Sequence, residues 1–462
     1  MLIRIKLMVP LILILISGTT AATGMSKKDN LPQDEFARRR TIFLEELREL
    51  NACAIFHTAP QYERNHHVEF PYRQDSDFYY LTGWTEKSSI LVLTPREKQE
   101  DGAQVSLFVV PRNSKMEVWT GPKAGIEEAK AFPGVDQALD YADFYTQLEQ
   151  LVKGYERLVI SYGSDPVFEH EFHENLESTS DHPSLIQEAS AILKSHRLIK
   201  SKHEIQSMEK AIRITHQSLT EILPLIPNLK FEYEVQAAVE YGMTKRGAER
   251  LAYPSIVGAG KNTTYLHYEG NRGNLVAGDL ILMDVGAEWD YYAADITRTF
   301  PVSRKFSTEQ RAIYQLVLDA QLAAIDKVKP GVSWREPHNT AVEIITSGLV
   351  DLGLLEGDPD TLIQQKSYRK YFMHGTSHWL GLDVHDVGGW VGENGSPHQL
   401  KAGMVLTVEP GIYIVESEDV DPKWWNIGVR IEDDVLVTQK GHRVLSQSIP
   451  KTIQEIEALM QP

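Results

Sequence analysis

Carboxylates sit where this chain is otherwise most apolar, and no other feature constrains its fold as tightly. Asp284 interrupts Leu280-Ile281-Leu282-Met283-Asp284-Val285-Gly286, and Glu409 closes Met404-Val405-Leu406-Thr407-Val408-Glu409-Pro410. Glu432 ends Ile427-Gly428-Val429-Arg430-Ile431-Glu432. Short apolar runs of this kind read as buried strands. An ionised carboxylate inside one costs several kcal/mol unless a positive partner meets it. Several of them converging on one place ask for a metal ion.

The bulk numbers remove some function classes. A chain of 462 residues has room for two or three domains. A net charge of −17, with no basic run to offset it, argues against a nucleic-acid partner. The single cysteine, Cys53, excludes an intramolecular disulfide and a cysteine-based zinc site. Within Ala52-Cys53-Ala54-Ile55-Phe56 it reads as a small buried hydrophobe. Residues 1–24 carry Arg4 and Lys6, then the apolar Leu7 to Ile16, then Thr20-Ala21-Ala22. That is the pattern of a secretory signal peptide, too short to span a membrane, so no stable membrane association is expected. The competing reading makes Met25 the true start.

An α/β chain (α+β) is expected, with a mixed α/β domain over residues 25–195, a linker over 196–202 and a second domain over 203–462. Asp34 to Leu50 has helical periodicity, and β-type runs follow at Ala52–His57, Phe78–Leu81, Ile90–Thr94, Val105–Val110 and Leu158–Ser161. Ala138 to Lys153 reads as helix, and the basic Lys194 to Lys200 as the loosely patterned linker. Ser201-Lys202-His203-Glu204 is a capping box that opens the second domain. Ser307-Thr308-Glu309-Gln310 caps a long helix stopped by Pro330-Gly331, Ala341 to Leu352 is another, and Lys451 to Met460 closes the chain.

Five residues form the metal-ligand candidates: Asp284, Asp295, His378, Glu409 and Glu432. Asp295 follows Asp284 across Glu288-Trp289-Asp290-Tyr291, which reads as a turn, so a hairpin can set both carboxylates on one face. Asp433 and Asp434 face solvent or back the site. Taken singly, an aspartate in an apolar run is often a hydrogen-bonded turn residue, and His66, His67 and His338 read as ordinary histidines. Four carboxylates and one imidazole make a hard, oxygen-rich set suited to manganese, with cobalt or zinc able to take its place in vitro. Two ions sharing such ligands bind a water whose pKa falls towards about 7, giving a hydroxide nucleophile. No nucleophile-elbow pattern offers a serine or cysteine in its place.

The run His374-Gly375-Thr376-Ser377-His378-Trp379-Leu380-Gly381-Leu382-Asp383-Val384-His385-Asp386-Val387-Gly388 closely resembles the aminopeptidase P signature of the pita-bread metallopeptidases. So do Asp284-Val285-Gly286, Asp295-Ile296-Thr297-Arg298-Thr299-Phe300, Val408-Glu409-Pro410-Gly411 and Arg430-Ile431-Glu432-Asp433. Phe70-Pro71-Tyr72-Arg73-Gln74-Asp75-Ser76-Asp77-Phe78-Tyr79-Tyr80 extends the resemblance through the N-terminal domain, so it runs from about Met25 to the end. It implies a C-terminal pita-bread catalytic domain and release of the N-terminal residue from peptides with proline second. Asp295 and Glu432 would bridge two metal ions, Asp284 would chelate one, and His378 and Glu409 would hold the other. Glu409 matches the proton shuttle; His267, His374 and His385 match histidines that line the substrate and act in catalysis. Arg430 and Tyr413 match substrate-binding residues at the pocket rim. Tyr79 stands where some relatives carry tryptophan, at a subunit contact or a site wall. The resemblance also implies a homo-oligomer, dimer or tetramer, and a cytoplasmic enzyme started at Met25; a periplasmic or secreted one follows if residues 1–24 are a leader. An Xaa-Pro dipeptidase shares these motifs and is the nearest rival. A metal-free creatinase-type hydrolase or scaffold is not expected, because the ligand set is complete.

Overall fold

In a computed structural model of the chain, residues 31–95, 104–392 and 395–461 are described. The leader expectation for residues 1–24 lies outside them. The described part from Leu31 onward packs as one unit. Among the described residues, no helix is long and apolar enough to cross a membrane.

The N-terminal third is built on a mixed six-stranded sheet. Its strand order is Gln137–Asp140, Val105–Val109, Ser89–Leu93, Ala52–His57, Arg157–Ile160 and Leu185–Glu188. Every residue of the central strand Ala52–His57 is buried, because helices cover both faces of the sheet. Cys53 is buried there, as expected of a small hydrophobe.

Four local expectations fail, each for a physical reason. Phe78–Leu81 is helix, not strand, within Ser76–Thr82. Asp75 caps its start by accepting from the Phe78 amide, and Gly83 ends it at φ 65°. Its aromatic residues are buried on all sides, so no alternation betrays the helical period. Ala138–Lys153 begins as the edge strand Gln137–Asp140, and only Phe144–Val152 is α-helix. The basic stretch Lys194–Lys200 is no loose linker: it is helical as far as Leu198, and Arg197 and Lys200 are buried in ion pairs. Tyr79 lies neither at an outer surface nor in the site wall. It is buried, stacks on Tyr291 with ring centroids 3.9 Å apart, and donates to Asp290.

The remaining two-thirds sets helices against antiparallel strands. Capping boxes start Lys202–Ile222 at Ser201 and Thr308–Asp326 at Ser307, as the sequence suggests. Ile212, Val235, Ile313 and Ile345 from four helices join Met283, Ile296, Val408 and Val429 from the strands in one apolar cluster. Each such side chain contributes roughly 1.5–3 kcal/mol on burial. That core makes the strands rigid, and the functional side chains stand on their opposite faces. Leu280–Val285 pairs with Ile296–Pro301, placing Asp284 opposite Thr297. The short hairpin between them turns at Asp290 and Tyr291, both with positive φ, as two-residue type I′ connections require. Val405–Val408 pairs with Asp433–Val437, and Gly411–Ile414 with Ile427–Arg430. Four strand ends therefore meet at one place.

Candidate metal centre

All five ligand candidates line one cavity of about 630 Å³. Oxygen and nitrogen atoms of Asp295, His378 and Glu432 lie within 4.8 Å of one another. His378 Nε2 is 3.2 Å from Asp295 Oδ2 and 3.5 Å from Glu409 Oε1. Its Nδ1 is 3.1 Å from the Trp379 carbonyl, which takes the ring proton and leaves Nε2 aimed at the carboxylates. The neighbouring backbone is stitched together: the Glu409 amide donates to the Thr376 carbonyl at 2.8 Å and the Thr407 amide to the His378 carbonyl at 3.0 Å.

The electrostatics say that something positive belongs here. Burial and the nearby Asp295 raise Asp284 above the ordinary carboxylate range, against the pull of Arg430. Burial, with Asp295 and Asp284 beside it, pushes Glu409 up to about 7. Glu432 rises well above its ordinary value through burial and through Asp295, Glu409 and Asp284. Burial opposes a charge on His378, yet Asp295 and Glu409 still raise it to about 9. Crowded lone pairs that favour positive charge fit a divalent cation. The donor set, four carboxylates and one imidazole, fits a hard metal ion.

Behind these ligands lies a frame that only folding reveals. The Tyr253 hydroxyl sits 2.6 Å from both Asp284 Oδ1 and Asp295 Oδ1. Thr297 Oγ1 donates to Glu432 Oε2 at 2.6 Å and accepts from Arg430 Nε at 3.1 Å. Tyr253 has no periodic signal. Thr297 is two residues past Asp295, a same-face spacing on a strand that could have flagged it. Asp433 and Asp434 are fully buried, so the solvent reading fails and the supporting one stands. Asp433 meets Arg298 at 2.8 Å, and Asp434 Oδ2 accepts from the Asp295 amide at 3.3 Å.

His267, His374 and His385 also line the cavity, and His385 packs edge-on to His378 with centroids 4.4 Å apart. Both ring nitrogens of His374 are engaged by neighbours. Burial and Arg430 push it down to about 3, so the ring is neutral. Its Nδ1 lies 2.6 Å from the Gly375 carbonyl, which fixes the proton there, and Nε2 accepts from the Tyr413 hydroxyl at 2.8 Å. Neither nitrogen is left to donate to a substrate. Tyr413 is not at the rim: it is buried behind the wall, where it also accepts from Arg430 Nη1 at 3.0 Å. Arg430 does line the cavity, though only 2% of its surface is exposed. His66 and His67 are exposed, and His338 sits 2.8 Å from Thr376 Oγ1, outside the cavity.

Comparisons with known proteins agree with this geometry. Residues 206–439 match Metallopeptidase family M24, and residues 36–160 match the aminopeptidase P N-terminal domain. The chain is 41% identical to the Xaa-Pro aminopeptidase of Haemophilus influenzae over 433 residues, covering 93% of this chain and 98% of that protein. Aminopeptidase PepP of Pseudomonas aeruginosa superposes with a TM-score of 0.89 at 41% identity, over 94% of this chain and 99% of that one. Zinc-substituted aminopeptidase P of Escherichia coli, in complex with product, superposes at 0.88 with 38% identity, over 93% and 98%. The fold is thus an aminopeptidase P N-terminal domain followed by a pita-bread domain, and the cluster around Asp295 belongs to a hydrolase that uses divalent metal. The chain belongs to metallopeptidase family M24.

Proposed function

We propose that this peptidase releases the N-terminal residue from peptides whose second residue is proline, using two divalent cations, manganese in the native enzyme. The convergence of Asp284, Asp295, His378, Glu409 and Glu432 on one cavity carries the reading. The Xaa-Pro aminopeptidase relatives support the substrate class, and zinc in the E. coli relative supports a divalent ion. Asp295 and Glu432 would bridge the ions, with Asp284 on one and His378 and Glu409 on the other. Such a pair, when bound, lowers the pKa of a shared water and so supplies a hydroxide at neutral pH.

The chain's own groups do the rest. Glu409, raised to about 7, is poised to take a proton at a carboxylate oxygen and return it to the leaving nitrogen. A nitrogen within proline has no hydrogen, so a site that holds its substrate through that N–H fails; ring shape must be read instead. Ile256, Leu266 and Val384 give the cavity apolar wall for that ring. With His374 held by Gly375 and Tyr413, oxyanion stabilisation falls to His267 and His385.

Comparing turnover of an Xaa-Pro-Xaa tripeptide with an Xaa-Pro dipeptide tests the assignment. Preference for the tripeptide is expected, and exclusive cleavage of the dipeptide would make the chain a dipeptidase. A homo-oligomer is proposed with it, supported by the exposed Val118 and Trp119 side by side and checked by light scattering. Cytoplasmic residence is proposed too. N-terminal sequencing of the native protein checks it: Met25 agrees, and a start a few residues before Met25 indicates a cleaved leader.

A further inference from the structure

We propose that Arg197, with Lys200, is a positioning residue for His385, so that the N-terminal part of the chain sets the geometry of the catalytic loop. The inference rests on the reading of His385 as a substrate-facing donor. Residues 380–388 form no helix or strand. Backbone bonds hold Leu380 to Val405, Gly381 to Ala293 and Asp386 to Trp379, and charged side chains add the ties around His385. Arg197 Nη1 donates to Asp77 at 2.7 Å, and Nη2 donates to Asp383 at 2.7 Å and to Asp386 at 2.6 Å. Lys200 Nζ takes the other oxygen of Asp386 at 2.8 Å. Arg73 donates to the Leu382 carbonyl at 2.6 Å, and Ser76 to Asp383 at 2.7 Å. The loop is therefore tied at 382, 383 and 386, on both sides of His385.

This cluster is expensive to bury. The side chains of Arg197, Lys200 and Asp386 are 4%, 1% and 1% exposed. Buried ion pairs of this kind add little net stability over an apolar packing of the same volume, but they do fix one arrangement. Here the arrangement serves the site: Asp386 and His385 are consecutive and both line the cavity. Drawing the Asp386 carboxylate back onto Arg197 and Lys200 sets the backbone from which His385 meets His378. The fit has no slack. A Cβ on Gly381 would meet Asp386 Oδ2 at 2.2 Å, and Gly388, at φ 139°, lies against Trp379. Arg197 reaches its three carboxylates from two nitrogens of one rigid plane, whereas a lysine ammonium is a single compact point that cannot occupy both places.

A double-mutant cycle with His385 tests this on the metal-loaded enzyme, with an Xaa-Pro-Xaa tripeptide as substrate. Arg197→Lys is expected to lower kcat about tenfold or more, with KM and bound metal little changed, the size seen when an outer support is lost. In a His385→Ala background the same change should lower kcat by less than about twofold, because both act through one side chain. Asp383→Asn removes one arm of the cluster at a half-exposed site, so it keeps the test alive if Arg197→Lys does not fold; a smaller fall is expected, again absent without His385. A full multiplicative defect on top of His385→Ala, or unchanged kcat in the single variants, overturns the proposal. Wild-type turnover by His385→Ala alone overturns the role of His385, and the proposal with it.

Discussion

Arg430 Nη2 donates to Asp284 Oδ2 across 2.6 Å, from within the wall of the cavity. The same guanidinium reaches Tyr413 through Nη1 and Thr297 through Nε. One side chain thereby orients the ligand candidate Asp284, the partner of His374 and the partner of Glu432. Lysine keeps the charge but cannot fork. Arg430→Lys is expected to weaken metal binding by about 10–100-fold, as losses behind a ligand do. Titrating metal into apo-enzyme measures it; wild-type affinity would mean that Arg430 does not hold Asp284 in place.

Tyr413 acts one step further out. Its hydroxyl accepts from Arg430 and donates to His374, which holds the His374 ring in its orientation. Tyr413→Phe removes that donor while sparing every metal ligand. We expect kcat to fall about 3–10-fold, the worth of one hydrogen bond, with metal content unchanged. Metal analysis beside steady-state kinetics separates this from damage to the centre.

The loop that carries His267 is organised by a carboxylate outside the cavity. Glu232 is fully buried and accepts from the Ala259 amide at 2.7 Å, Asn262 at 2.8 Å, Tyr268 at 2.9 Å and the Gly273 amide at 2.5 Å. Those donors bracket His267 in the chain. Glu232→Gln would turn an N–H towards N–H donors, costing about 1–3 kcal/mol for each group left unpaired. A lower unfolding midpoint together with a raised KM is expected. A lowered midpoint with an unchanged KM would show that His267 keeps its place without this support.

The ligand candidates were legible before folding because burial makes a carboxylate conspicuous: Asp284 and Glu409 broke apolar runs that otherwise read cleanly as strand. Tyr253 and Glu232 were not, since a tyrosine and a helix-start glutamate are ordinary where they stand, and Thr297 offered only its same-face spacing from Asp295. Their roles come from contacts between segments far apart in sequence. Phe78–Leu81 misled because aromatic residues favour strands, while the Asp75 cap and Gly83 decided for helix. Lys194–Lys200 misled in the opposite way: its charges suggested solvent, and their partners Asp77, Asp383 and Asp386 became visible only in the fold.

Acid stability should track Asp433. Burial alone would raise this carboxyl, but Arg298 and Lys451 hold it down at about 2, below its ordinary 3.8. A lowered folded-state value means that its contribution is fully present above pH 3.8 and drains away as pH falls towards 2. Asp433→Asn leaves the buried Arg298 and the partly buried Lys451 short of a partner, so about 3–5 kcal/mol of stability is lost at neutral pH. Urea unfolding at neutral pH and near pH 3 should show the gap between wild type and variant narrowing in acid. A constant gap would place the acid-sensitive stability elsewhere.

We propose that Asp284, Asp295, His378, Glu409 and Glu432 together hold two catalytic divalent cations. Quantitative metal analysis of purified enzyme, run alongside tripeptide cleavage during stepwise chelation and manganese re-addition, tests this. Two ions per chain are expected, with activity lost as they leave and restored as they return. Full turnover by protein stripped of metal would contradict it.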